Sequence, residues 1–158
     1  MENLPINFVE ETKEKFVVKK VDTFDDLIYE DIGDSLLLGM GESVFIKKDE
    51  NNVVCSFGAN PCLIIVSQLN NGEHIVFHST GDQFTEKEEY IIKHSKRGIC
   101  GGGLNSLNKY ENFLKENNIK TIKSQNSKDD FNVVVVNEIK NKKSKQSIYY
   151  YYGDHLND

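Results

Sequence analysis

The sequence lacks any apolar run longer than about five or six residues, against the roughly 20 that a membrane-spanning helix needs. Membrane insertion is therefore not expected. The acidic, mixed-polarity start of the chain carries no secretory signal, so the expected location is cytoplasmic, or outside the cell by a route that reads other signals. Cysteine is scarce: three residues, an odd number without paired spacing, point to free thiols in a reducing compartment rather than a disulfide framework. A basic excess is also missing. The net charge of −6 argues against a nucleic-acid binder, because neutralising phosphates takes clustered Lys and Arg. The local exception, Lys140 to Lys145, reads as a solvated hairpin turn. No Cys and His cluster has zinc spacing, and no carboxylate pair sits in a setting for glycosidase or aspartyl chemistry. Neither a metal nor a cofactor is expected.

What is present is an ordinary soluble composition, 38% apolar and 28% charged, in 158 residues. That length predicts one domain able to bury about 70% of the surface its unfolded chain exposes. Its most informative stretch is Val53 to Thr80. Two apolar runs flank Gly58-Ala59-Asn60-Pro61, a third follows Asn70-Asn71-Gly72, and their lengths and β-branched content favour strands. Cys62 thus sits where a tight loop enters a strand, and His78 lies on the return strand.

Whether the two meet depends on loop length, because opposed residues of an antiparallel pair share a face and their numbers have a constant sum. A loop centred on Asn70 sets Cys62 opposite His78. The three-residue loop Asn70-Asn71-Gly72, with Gly72 left-handed, sets Cys62 opposite Thr80 and leaves His78 diagonal on the same face. A two-residue Asn71-Gly72 turn sends the two side chains to opposite faces. His74, four residues from His78, points the same way but about 13 Å off, too far to share a metal with it. It is the lesser candidate base. A cysteine in an apolar strand is ordinarily a small buried hydrophobe; nucleophilic chemistry adds a base, a group orienting that base, and backbone donors for an oxyanion. Gly58, Ala59 and Asn60 are the candidate donors, since Pro61 has no N–H.

Gly39-Met40-Gly41-Glu42, a strand, and Ser56-Phe57-Gly58-Ala59-Asn60-Pro61-Cys62 together resemble the chemoreceptor glutamine deamidase family of the CheD type. Its pattern is Gly-x-Gly-Glu, then Thr-x-Gly-x-Gly-Ser-Cys, then a histidine on the next strand. Ile99-Cys100-Gly101-Gly102-Gly103 resembles that family's strand ending in Gly-Gly-Ala ahead of a helix. The similarity spans roughly residues 37 to 152. Asn60-Pro61 replaces the family's Gly-Ser, and its later Gly-Gly and Gly-Arg signature is missing from Ser124 to Asn132. Toxins of the cytotoxic necrotising factor type share the same cysteine and histidine architecture.

The resemblance implies an α+β fold, an α/β/β layered sandwich of mostly antiparallel sheets with two packed helices. It divides the chain into an N-terminal accessory segment, residues 1–36, and a deamidase domain, residues 37–158. It also implies Cys62 as nucleophile, His78 as base and Ser56 as the hydroxyl that orients the base. Glu42 is a weaker candidate, by default a salt-bridged carboxylate at a strand edge. The expected activity is hydrolysis of an exposed glutamine side chain on a protein partner, in a chemotaxis or a toxin and effector setting. A binding module that has lost turnover, and a transglutaminase or protease using the same pair, are the alternatives.

The remaining elements follow from local pattern. Phe16-Val17-Val18 reads as a short strand, Thr23 to Tyr29 as a helix start, and Thr85 with Glu88 as a capping box opening a helix to about Ser95. A second helix is expected from Ser106, ended by Asn117-Asn118, followed by strands Ile119–Ser124, Val133–Ile139 and Ser147–Tyr152.

Overall fold

A computed structural model describes residues 15–27, 34–46 and 49–153. Among them the chain forms, in order, β1 (Lys15–Lys20), β2 (Asp34–Leu37), β3 (Ser43–Ile46), β4 (Asn52–Ala59), β5 (Leu63–Leu69), β6 (His74–Ser79), α1 (Glu86–Lys93), β7 (Ser95–Gly102), α2 (Leu104–Glu116), β8 (Ile119–Ile122), β9 (Phe131–Lys140) and β10 (Lys143–Tyr152). One sheet runs β1-β10-β9-β4-β2 and the other β3-β6-β5-β7-β8. Both are mixed: β1 with β10, β2 with β4 and β7 with β8 are parallel, and the other pairings are antiparallel.

The layering follows from which side chains each strand turns inward. β5 is apolar on both faces because both are covered, as in any central strand between two layers. Its Ile64 and Val66 meet Val54, Phe131, Val133, Val135 and Ile148 of the first sheet. Its Leu63, Ile65 and Leu69 face the other way, against Ile91 and Ile92 of α1 and Leu107 and Leu114 of α2. Each such fully buried side chain stabilises the fold by about 1.5–3 kcal/mol relative to exposure. The result is an α/β/β sandwich: helices, the β5-containing sheet, then the β9-containing sheet. A third cluster lies on the outer face of that last sheet, where Leu27, Val53, Val134 and Val136 pack with Phe24 and Phe57. The four tyrosines of β10 divide as their alternation predicts. Tyr150 and Tyr152 turn toward the core between the sheets, and Tyr149 and Tyr151 toward the outer cluster.

Several boundaries move, each for a physical reason. α1 has the full capping box, Thr85 accepting from the Glu88 N–H and Glu88 from the Thr85 N–H. It stops at Lys93 because Ser95 already opens β7. α2 starts at Leu104 rather than Ser106, with Gly103 as its cap and no side-chain cap bond. The glycine run is pinned against the Cys62 loop, so the chain turns into the helix there. The expected helix at Thr23 is a single 3-10 turn, Phe24–Leu27; Ile28 and Tyr29 lie outside the described residues. β1 extends beyond Phe16–Val18 and lies parallel to β10, with Phe16 buried in the core between the sheets. The lysine-rich stretch is the β9–β10 turn: Asn141 and Lys142 take φ 55° and 65°, the signature of a two-residue hairpin loop, and its lysines are exposed. Among the described residues no helix is long and apolar enough to cross a membrane.

Candidate functional site

The site is built on the β5–β6 hairpin. Asn70-Asn71-Gly72 forms its loop, with Gly72 at φ 91° and the Leu69 N–H donating to the Glu73 carbonyl at 2.7 Å. Leu63 pairs with Ser79 and Ile64 with His78. Continuing that register by one residue sets Thr80 across from Cys62 and His78 diagonal to it on the same face, the arrangement of a three-residue loop. Cys62 packs at the margin of the core between the sheets. His74 shares the face but pairs with Gln68, six residues along β5 and so about 20 Å from Cys62. There its ring stacks on Phe16, with centroids 6.2 Å apart and planes 12° apart. His78 is thus the histidine at the cysteine end of the hairpin.

Ser56 comes from the opposite sheet. Its Oγ lies 2.8 Å from His78 Nδ1 and donates to the Leu38 carbonyl at 2.8 Å. A serine hydroxyl carries one proton. With that proton given to Leu38, Oγ can only accept from His78, so Nδ1 carries the hydrogen and Nε2 keeps a free lone pair. Ser56 is fully buried and His78 nearly so. The bond therefore fixes both tautomer and ring orientation, as a second partner does for any working imidazole.

Leu38 leads directly into a tight turn built on Gly39 and Gly41. The Glu42 N–H donates to the Gly39 carbonyl at 3.1 Å, and Gly41 at φ 86° takes the position where such a turn needs a positive angle. The turn is bolted to His78 on both sides: the Gly41 N–H donates to the His78 carbonyl at 2.7 Å and the His78 N–H to the Glu42 carbonyl at 3.1 Å. Among the described residues Glu42 is held by its own turn and not by the salt bridge expected of it. Its Oε1 accepts from the Gly39 N–H at 2.7 Å and closes its own turn. Met40 projects from this turn with Sδ 3.3 Å from Cys62 Sγ.

The loop before Cys62 is held from several directions. The Gly58 N–H donates to Asn132 Oδ1 at 2.9 Å, and Asn60 Nδ2 donates to the Ser127 and Asp129 carbonyls, each at 2.9 Å. Ala59 pairs with Phe131 in the β4–β9 ladder. Of the three expected oxyanion-donor residues, Gly58 thus has its N–H committed elsewhere and Asn60 its side-chain amide. The backbone N–H of Cys62 itself acts on the sulfur. Ser106 Oγ of α2 donates to the Pro61 carbonyl at 2.7 Å and the Gly103 N–H to the Cys62 carbonyl at 3.1 Å. Gly102, at φ 150°, and Gly81, at φ 90°, stand so close that a Cβ at either would overlap a carbonyl oxygen, Cys62's and Pro61's respectively. The glycine run is therefore a clearance for the cysteine loop.

Burial pushes the Cys62 thiol above its ordinary 9.0, its own backbone N–H pulls it partly back, and the negative charge of Asp82 raises it again. Burial holds the His78 imidazole below its ordinary 6.5. The resting pair is thus neutral thiol and neutral imidazole, suited to proton transfer coupled to attack rather than to a standing ion pair. Cys55 and Cys100 are both pushed up by burial; Cys100 is wholly enclosed, whereas Cys55 is only partly so. Among the described residues no group of three or more His, Cys, Asp or Glu side chains is placed to hold a metal ion.

Sequence reasoning singled out Cys62, His78 and, through the family resemblance, Ser56, and missed what braces them. Asn132 and Ser106 are lone polar residues separated from the loop by 74 and 45 positions, with no local pattern to betray them. Met40 had a signal that went unused: a large side chain between two glycines of a turn has little but solvent or a site to face. No protein-family model matches the chain, and no curated protein matches it.

Proposed function

We propose that this protein is a cysteine-dependent glutamine deamidase acting on a protein partner. The observation that carries the reading is the buried chain from the Leu38 carbonyl through Ser56 Oγ to His78 Nδ1, which leaves Nε2 as a free base at the end of the hairpin where Cys62 stands. In the reaction, Nε2 takes the thiol proton as Sγ attacks the amide carbon of the glutamine. The tetrahedral oxyanion draws on the Cys62 N–H. The imidazolium then returns the proton to the leaving nitrogen, ammonia departs and a thioester remains. Water, deprotonated by the same Nε2, attacks the thioester; its collapse releases a glutamate side chain and restores thiol and imidazole. No oxidant, reductant or metal enters the balance. The resemblance to CheD-type deamidases supports the same reaction class.

A second reading, a binding module on this scaffold without turnover, is favoured by one observation: the Gly58 N–H and the Asn60 amide are spent on Asn132 and the 127–129 segment, leaving fewer donors for an oxyanion. The deciding experiment incubates candidate partners with wild type and with Cys62→Ser, followed by intact mass and peptide mapping. Conversion of one glutamine to glutamate by wild type alone supports deamidation. Stable binding without any Cys62-dependent mass change supports the module. An amine adduct at that glutamine, or a cut chain, redirects the chemistry to transglutamination or proteolysis.

A further inference from the structure

Met40 is 61% exposed although it is one of the larger apolar side chains, and its exposed face lies beside the nucleophile. Its backbone is rigid, tied through Gly41 and Glu42 to both sides of His78, while its side chain has three rotatable bonds and a polarisable sulfur. A thioether only accepts, so at 3.3 Å it takes the Cys62 S–H and closes one approach to the sulfur. Asp82, whose charge reaches Cys62, makes the same neighbourhood unfavourable for an anion.

We propose that Met40 is a specificity-determining residue: it caps the Cys62 thiol in the free protein and, swung aside, becomes the apolar wall on which the two methylenes of an entering glutamine pack. A neutral amide on an aliphatic stem fits a space with an apolar wall. The identity of the incoming side chain rests on the deamidase reading; the cap does not.

The test measures alkylation of Cys62 by iodoacetamide, itself a small primary amide, in wild type, Met40→Ala and Met40→Leu, with melting temperatures confirming that the exposed substitutions leave the fold intact. Removing the cap should speed Cys62 alkylation about twofold to tenfold, the range that losing one net hydrogen bond spans. Leucine, which restores bulk without the acceptor, should fall between. Equal rates in wild type and Met40→Ala overturn the cap. Ammonia release from the capped dipeptide benzyloxycarbonyl-Gln-Gly then tests the wall: Met40→Ala should raise KM with kcat little changed, and a fall in kcat at constant KM overturns it. Absence of ammonia release by wild type from both the dipeptide and the candidate partners overturns the deamidase reading and the wall together, while the alkylation rates still decide the cap.

Discussion

The orientation of the His78 ring depends on the Ser56 hydroxyl, which among the described residues joins Nδ1 to the opposite sheet and to the Leu38 carbonyl. Ser56→Ala leaves the Leu38 carbonyl and the Nδ1–H facing an apolar methyl, at about 1–3 kcal/mol for each unsatisfied group. It also frees the imidazole to take the other tautomer. The expected outcome is a lower urea midpoint and a loss of Cys62-dependent turnover of at least about tenfold, since a tenfold loss corresponds to only 1.4 kcal/mol. Ser56→Thr, which keeps the hydroxyl, should restore both. A stability loss with unchanged turnover would show that Ser56 holds the sheets together and does nothing for the base.

His78 carries a pH signature at the same scale. Burial holds its folded pKa below 6.5, so between that value and 6.5 the unfolded chain binds more protons than the folded one. The stability gained by keeping the ring neutral is therefore whole above 6.5 and lost as the pH falls through the folded value. The acid limb of turnover should likewise lie below 6.5, and alkylation of Cys62, which reads the thiolate, should have its midpoint above 9.0. Urea midpoints and rates across pH 4.5–10 check both limbs. An alkylation shoulder near neutrality would reveal a standing thiolate–imidazolium pair and contradict the neutral resting state.

At the level of elements, the hairpin was the most legible part, and the reason is parity. Asn70-Asn71-Gly72 favours a left-handed final residue, and once that loop is three residues long every pairing down to Ile64–His78 follows. Cys62 and His78 stood out through their places on that hairpin, and Ser56 through the family resemblance alone. The brace was not. β4 meets β9 across some 72–85 positions, for example Asn52 with Asn137, and such partners leave no trace in local pattern. Nor does a turn that acts through its backbone, as Gly39–Glu42 does on His78. The glycines of β7 were visible as a motif, but their purpose appears only when Gly102 is seen against the Cys62 carbonyl. Gly102→Ala should displace the Cys62–Leu63 backbone, lowering stability by about 1–3 kcal/mol through overpacking and strain. Cys62 alkylation should change severalfold with it. Unchanged alkylation and an unchanged urea midpoint would mean that the loop yields without cost.

At the scale of the whole molecule, the candidate site draws on both sheets, with Cys62 and His78 at one end of the β5–β6 hairpin and Ser56 on β4. It is complete only when the sheets pack face to face, so the core between them is part of the site's mechanism. Phe16 tests how far that dependence reaches. It comes from β1, in the segment that sequence reading set apart as accessory, yet it is 1% exposed and stacks on His74 at the far end of the hairpin. Phe16→Ala should cost about 3–5 kcal/mol, the usual toll for emptying an aromatic's place in a core. Native Cys62 alkylation should nevertheless stay at the wild-type rate below the unfolding transition, because the Ser56–His78 bond and the Gly39–Glu42 turn that holds His78 lie about 13 Å along β6 from His74, where the lesion falls. In urea, loss of site protection should coincide with global unfolding, as two-state behaviour of a domain this size predicts. An early rise in Cys62 reactivity, before the secondary structure melts, would show instead that the sheets part at the site end first.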